Sequence, residues 1–465
     1  MADPMFTNDP AMTDLIFDYC RQRLALDPVP LDFGGIRESF DEVLRGLIGP
    51  DGNDPERVLE IFSDHLADAV ISCDSPRFLS FIPAAPTKAS LLFDMVVSCS
   101  SLQATSWLEA AGAVAAENQA LHFIADLAGF PAGAGGCFVS GGTQGNLSAL
   151  LVARDVGRAR RGLGPAARPM VAVSEEAHSS VVRALHVLGV DALWVPTVDH
   201  RLTGAGLRSA LDGSARRTDA VAIVATAGTT NAGLIDDLAG ISEVAADEGM
   251  WLHVDAAYGG AALLAPEAQP LFRGIEHADS VVVDPHKWLF APFDCAGLVY
   301  RDPPLAKAVH TQDASYLDVI HPESASADAP WNPSDYAIHL TRRARGLPIW
   351  FSLAVHGTDA YRRSVEAALD IAHRCAERVR DADHLELVRE PGLSVVLFRR
   401  LGWSRGDYEA WSRRLLQDQV ALVTPTTWEG EPVARLVFLH PNTTIEIVDE
   451  VLDSMRDAPV GQEAR

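Results

Sequence analysis

Beyond residue 136 short apolar, β-branched runs at 171–174, 192–196, 221–226, 251–254, 280–283 and 296–300 alternate with stretches whose apolar residues recur at helical spacing. Runs of that length read as buried strands, and alternation with helices predicts an α/β domain built on a mostly parallel sheet. In such sheets ligands gather outside the carboxyl ends of the strands. The residues just after each run are therefore the first place to look for chemistry.

On either side the pattern changes. Residues 11–70 alternate apolar and charged positions at roughly helical spacing, as in Leu44, Leu47 and Ile48 or Val58, Ile61 and Phe62, and Asn53-Asp54-Pro55 marks a helix start. These helices have few partners nearby in sequence, so another subunit is the expected packing surface. A proline-punctuated segment to Pro86 precedes helical patterning through Ala125, and Gly133, Gly135 and Gly136 predict a loop. Residues 303–335, rich in Pro, Ser, Asp and Ala, read as a long mobile loop, a length that usually signals function. From Leu347 a helical pattern runs to about 381. A strand at 394–398, a helix near 406–418, an apolar stretch at 436–439 and a last helix from Thr444 then predict a small α+β domain. The expected division is an N-terminal helical segment at 1–74, a large α/β domain at 75–346 and a C-terminal domain at 347–465.

Composition narrows the function classes. The 465 residues carry 63 acidic against 38 basic side chains, a net charge of -25, which argues against nucleic acid or an anionic membrane as partner. The first residues lack the basic and apolar regions of a signal peptide, and no apolar run reaches spanning length, so a cytoplasmic protein is expected. Six cysteines without paired short spacing predict free thiols and no metal site.

Four motifs carry chemistry. Ser280-Val-Val-Val-Asp-Pro-His-Lys-Trp288 delivers Lys287 from the end of a strand, where desolvation is expected to lower its pKa and favour a nucleophilic amine. Ser140-Gly-Gly-Thr-Gln-Gly-Asn146 opens a helix, and glycines with a hydroxyl there make either an anion site or a tight turn with a cap. Asp255, closing Trp251-Leu-His-Val, can pair with a cationic ring nitrogen or cap the next helix. His178 follows another strand. No G-x-G-x-x-G, Walker or H-E-x-x-H pattern occurs, and Phe138 stands where a nucleophile elbow needs glycine. An anion cradle, an imidazole, a carboxylate and a lysine at strand ends of one sheet are the equipment for pyridoxal 5'-phosphate.

At this level the chain resembles the pyridoxal-phosphate-dependent amino-acid decarboxylases, the family of the aromatic amino acid, glutamate and histidine enzymes. The motifs Asp-Pro-His-Lys-Trp at 284–288, His-Val-Asp-Ala-Ala-Tyr at 253–258, Ala-His-Ser-Ser at 177–180 and Ala-Gly-Thr-Thr at 227–230 match in order, and the similarity runs from about Ser75 to Trp350. The resemblance implies fold type I, with a seven-stranded sheet. It makes Lys287 the lysine that holds the cofactor, with Asp255 on the pyridinium, His178 stacked on the ring, Gly142 and Thr143 on the phosphate, Thr230 and Ala257 along the ring and His286 beside the lysine. Tyr316 matches the family's mobile-loop tyrosine, a proton donor that reaches across a homodimer interface.

The resemblance also implies a substrate pocket, aligned with Cys73, Ile82, Pro83, Ala84, Gln103, Thr105 and Phe293, and less aromatic than in relatives acting on aromatic substrates. Asp284 departs from the asparagine often found there; a carboxylate repels a phosphate at contact distance, so the phosphate-binding role is not carried over. Arg342 and Arg343 match a basic pair and are expected to hold the backbone. The reading is a cytoplasmic homodimeric decarboxylase of a neutral L-amino acid, aromatic or branched-chain. Its rivals are an oxygen-dependent aldehyde synthase on the same scaffold and a catalytically silent binding protein.

Overall fold

The computed structural model describes residues 4–32, 39–83, 85–164, 166–321 and 331–456. Its centre is a seven-stranded sheet of β1 (Gly135–Val139), β2 (Met170–Val173), β3 (Asp191–Trp194), β4 (Ala220–Thr226), β5 (Trp251–Asp255), β6 (Ser280–Val283) and β7 (Ala296–Tyr300), in the order β1-β7-β6-β5-β4-β2-β3. Strands β3, β2, β4, β5 and β6 pair in parallel, and β7 runs antiparallel to both β6 and β1. Alternate residues feed two cores: Met170 and Ala172 of β2 join one, Val171 and Val173 the other. Burial on both faces is why these strands read as unbroken apolar runs.

The glycines near 135 correct the expected loop. Gly135 and Gly136 lie inside β1, where a Cβ on Gly136 would stand 1.9 Å from the Leu298 carbonyl oxygen and one on Gly135 2.7 Å from the Trp331 ring. Their role is close approach, which glycine permits in a strand as well as in a turn. The helix Gly142–Arg160 lies equally close on the sheet, since a Cβ at Gly145 would meet Val282 at 2.6 Å and one at Gly157 would meet Val221 at 2.5 Å.

The described parts of the segment 303–335 include regular elements. Asp302 and two prolines start the helix Pro303–His310, Ala306 and His310 are buried on one side, and Leu317 and Ser334 are buried further on. Residues 322–330 of that segment lie outside the described residues. Of the N-terminal apolar positions, Leu44, Leu47 and Ile48 fall beyond the short helix Phe40–Val43, and Ile48 is 98% exposed. Asp54 does cap Pro55–Ile61, whereas Pro10–Leu24 buries none of its residues and leaves Met12, Ile16 and Phe17 exposed.

From Leu347 the expected single helix is two, Leu347–His356 and Thr358–Asp381, broken at Gly357 with φ +75°. The C-terminal sheet, β8 (Leu385–Leu387), β9 (Val395–Arg400), β10 (Thr426–Trp428) and β11 (Glu431–Val437), is antiparallel in the order β10-β11-β9-β8. It packs with Thr358–Asp381, Arg405–Gln417 and Ile445–Asp453 around Phe398, Trp411 and Phe438.

One buried ion pair ties the elements behind the sheet. Arg342 binds Glu117 through two nitrogens at 2.6 and 2.8 Å and donates to the Ala104 carbonyl at 2.9 Å, while Glu117 also accepts from the Gly346 N–H at 2.7 Å. Arg343 pairs with Asp94. Both arginines therefore hold structure, as expected. Removing one partner of a buried pair strands the other charge, so Glu117→Ala should cost about 3–5 kcal/mol in denaturant unfolding; a loss below about 1 kcal/mol would show that the pair is dispensable.

Candidate active site

The carboxyl ends of β4, β5 and β6, the start of the helix Gly142–Arg160 and the turn after β2 converge on a cavity of about 270 Å³. Gly142, Thr143, His178, Thr230, Asp255, Ala257, His286 and Lys287 all line it. The structure thus gathers every residue assigned above to cofactor binding into one space, from five separate segments of chain.

Asp255 ends β5 and is 6% exposed, its carboxylate accepting from Asn146 Nδ2 at 2.9 Å and from the Ala257 N–H at 3.2 Å. Asn146 is fully buried in the second turn of the helix Gly142–Arg160 and also binds Ser180 Oγ and His253 Nε2, each at 2.9 Å. Burial pushes the His253 imidazole down to about 4, so it is neutral near pH 7. A neutral imidazole that donates from Nε2 to the Asn146 oxygen must accept at Nδ1, where Ser280 Oγ lies at 2.9 Å. Ser280 in turn accepts from the Trp251 indole at 2.9 Å. At the other end Ser180 Oγ accepts from Asn146 and donates to His178 Nδ1 at 2.8 Å, because that nitrogen also accepts the Ser180 N–H. The directions close without conflict from Trp251 to His178, which caps the helix Ser179–Leu188.

Lys287 Nζ lies 3.0 Å from Asp284 Oδ2. This corrects the expected pKa: burial alone would lower the ammonium, but the Asp284 and Asp255 carboxylates and the Asp284 hydrogen bond outweigh it and raise the value. In this state the lysine is an ion-paired cation. His286 Nδ1 accepts the Cys295 N–H at 3.0 Å, leaving Nε2 to carry the proton, and burial lowers its pKa.

The residues fit pyridoxal 5'-phosphate. Besides the lysine, the buried Asp255 carboxylate and the helix start, a buried hydroxyl lining the cavity, Thr226 Oγ1, has no hydrogen-bond partner among the described residues. Among those residues no group of three or more His, Cys, Asp or Glu could hold a metal ion, and no helix is long and apolar enough to cross a membrane.

The other assigned residues among those described do not line this cavity. Tyr316 is 69% exposed on the 3₁₀ turn Ser315–Ile320 and does not line the cavity. Nor do Cys73, Ile82, Pro83, Gln103 and Thr105: Ile82 belongs to the core, Gln103 binds Glu109, and Thr105 is buried. Phe293, 53% exposed, has its ring 5.4 Å from that of His286, which lines the cavity. Ala84 lies outside the described residues. The sequence reading missed Asn146, Ser180, His253, Ser280 and Arg435. The first four sit inside or next to quoted motifs, so polar residues on otherwise apolar strand and helix faces were an available signal. Arg435 on β11 was not foreseeable: its buried guanidinium donates to the carbonyls of Thr230, Asn231 and Phe81, all distant in sequence.

Fold and site together define a fold type I pyridoxal-phosphate enzyme. Residues 48–401 match the family model described as the pyridoxal-dependent decarboxylase conserved domain, and the chain belongs to that family. It is therefore a pyridoxal-phosphate-dependent carboxy-lyase. It is 35% identical over 406 residues to the L-2,4-diaminobutyrate decarboxylase of Rhizobium meliloti (strain 1021), covering 84% of this chain and 78% of that one. To the aromatic-L-amino-acid decarboxylase of Bacillus atrophaeus it is 29% identical over 453 residues, covering 94% and 92%. The crystal structure of Oryza sativa TDC with PLP and tryptamine superposes with a TM-score of 0.88 at 22% identity, covering 97% of this chain and 98% of that one.

If Lys287 is the attachment point, borohydride treatment of the holoenzyme should fix the cofactor to the peptide carrying it, and Lys287→Ala should bind without covalent attachment. Recovery of the adduct on another lysine overturns the assignment.

Proposed function

We propose that the chain is a cytoplasmic homodimeric decarboxylase converting a neutral L-amino acid, with an aromatic or branched hydrophobic side chain, to its amine and carbon dioxide. The observation that carries the reading is one cavity holding Lys287, Asp255 and His178, with the Phe293 ring 5.4 Å from that of the cavity-lining His286. Arg435, which donates to the carbonyl of the cavity-lining Thr230, also donates to the carbonyl of Phe81, a residue that is 59% exposed. Asp294, the carboxylate next to Phe293, is paired with Arg345, which disfavours a role in receiving a basic side chain.

Bound pyridoxal phosphate supplies the electron sink that makes loss of carbon dioxide from an amino acid feasible. In this reading Gly142 and Thr143 hold the phosphate at the helix N-terminus, where the helix dipole favours an anion. Asp255, fixed by Asn146 and the Ala257 N–H, keeps the ring nitrogen protonated, and His178 covers the ring face. Lys287 yields its place to the substrate amine. Arg435, whose recorded partners are carbonyls alone, receives the substrate α-carboxylate at the edge of the cavity.

Tyr316 Oη donates the proton that replaces carbon dioxide at the substrate α-carbon. Its exposure supports a role in the partner's site, and the exposed apolar residues of Pro10–Leu24, with Leu92, Val96 and Leu108, offer surface for that partner. Residues 1–74 then belong to the interface. A tyrosine at this position also speaks against the aldehyde-synthase rival, because aldehyde synthases of this family tend to lack one.

Two measurements test this. Offered all common amino acids, dihydroxyphenylalanine and diaminobutyrate, the holoenzyme should favour neutral hydrophobic substrates; a preference for glutamate, aspartate or diaminobutyrate refutes the substrate class. Tyr316→Phe should slow amine formation about 10²–10⁴-fold, the usual range for a general acid, with cofactor attachment unchanged and aldehyde, ammonia and peroxide rising in air. Mixed dimers of Lys287→Ala and Tyr316→Phe chains should recover activity, since one site then holds both residues. Inactive mixed dimers would place Tyr316 in its own chain's site.

A further inference from the structure

Asp284 follows the last residue of β6 and its side chain is 2% exposed. One oxygen, Oδ2, accepts the Gly142 N–H at 3.2 Å and lies 3.0 Å from Lys287 Nζ and 3.6 Å from His286 Nε2. The other, Oδ1, is buried without a hydrogen-bond partner among the described residues. Both oxygens press on the first residue of the helix, since a Cβ at Gly142 would meet them at 3.1 and 3.3 Å. A single buried carboxylate therefore occupies an N–H at the helix start and the amine, both of which the cofactor requires.

A phosphate ester brought to that helix start would stand beside this carboxylate, with the Lys287 charge already shared between Asp284 and Asp255. Like charges at contact distance in a site of low dielectric repel strongly. We propose that Asp284 is an internal anion that competes with the cofactor phosphate for the start of the helix Gly142–Arg160, so that this enzyme holds pyridoxal phosphate more loosely than the same chain with a neutral residue at 284. The inference rests on reading Gly142 and Thr143 as the phosphate seat and Lys287 as the attachment point. Occupancy then follows cofactor supply more closely than a neutral residue would allow.

The test compares wild type, Asp284→Asn and Asp284→Ser apoenzymes for equilibrium binding and release of pyridoxal phosphate and of phosphate-free pyridoxal, with inorganic phosphate as competitor. The serine variant keeps the test open if the asparagine variant folds poorly. Expected is pyridoxal phosphate binding about tenfold tighter in both variants, a free-energy change of about 1.4 kcal/mol. Release should slow, inorganic phosphate should compete better, and pyridoxal binding should change little. An unchanged or smaller preference for the phosphorylated ligand overturns the proposal. An equal gain for both ligands also overturns it, assigning Asp284 to the Lys287 amine alone. Wild type that shows no preference for the phosphorylated ligand, or attaches it away from Lys287, shows instead that the underlying site reading has failed, and the inference with it.

Discussion

The contact between Asn146 and Asp255 is the constraint on which the site's geometry depends. Asn146 sits fully buried where the helix Gly142–Arg160 crosses β5, and a buried amide must be satisfied on both its oxygen and its nitrogen. It meets that demand by joining Asp255 and His253 of β5 and Ser180 of the helix Ser179–Leu188. The same contacts aim the Asp255 carboxylate into the cavity and fix the rotation of the helix whose first residues would hold the phosphate. Gly145 makes this possible, because a side chain there would collide with Val282 and lift the helix off β6.

Charge in the cavity is organised around scarcity of cations. Lys287 faces two buried carboxylates, and its raised pKa follows from them despite burial that alone would lower it. A lysine in this condition is stored as an ion pair, and its reactivity depends on what displaces Asp284. The neutral His253 lets the polar chain run beside Asp255 without adding charge. Arg435, a buried cation that donates to the cavity-lining Thr230, is drawn from the C-terminal sheet, and burial depresses its pKa to about 10, still well above neutral pH. That sheet is thereby part of the site's construction, a connection reinforced by the hydrogen bond between Tyr258 and Ser394.

Much of this architecture was legible along the chain. Strands buried on both faces must be apolar throughout, so the runs at 171–174, 221–226, 251–254 and 280–283 announced β2, β4, β5 and β6 to within a residue or two at most. The rule that parallel sheets bind ligands at their carboxyl ends then selected His178, Asp255 and Lys287, which do line one cavity. Helix starts were readable where capping chemistry is local, as at Asp54 and Thr444.

What the sequence could not decide depends on residues far apart in the chain. Gly135 and Gly136 carry the same local signal as a turn, and only the approach of Leu298 and Trp331 makes them strand residues. The break at Gly357 splits a continuous apolar pattern, because periodicity does not register a left-handed backbone. The pKa of Lys287 is the clearest case: desolvation follows from the motif, but the opposing charges come from Asp284 in the same turn and Asp255 on another strand, and their sum is set by distance. Sequence by itself determined which side chains stand at the ends of strands, since that follows from local hydrophobic pattern. Tertiary structure alone decided what each one faces, because electrostatics and hydrogen bonding act through space across segments that no pattern along the chain brings together.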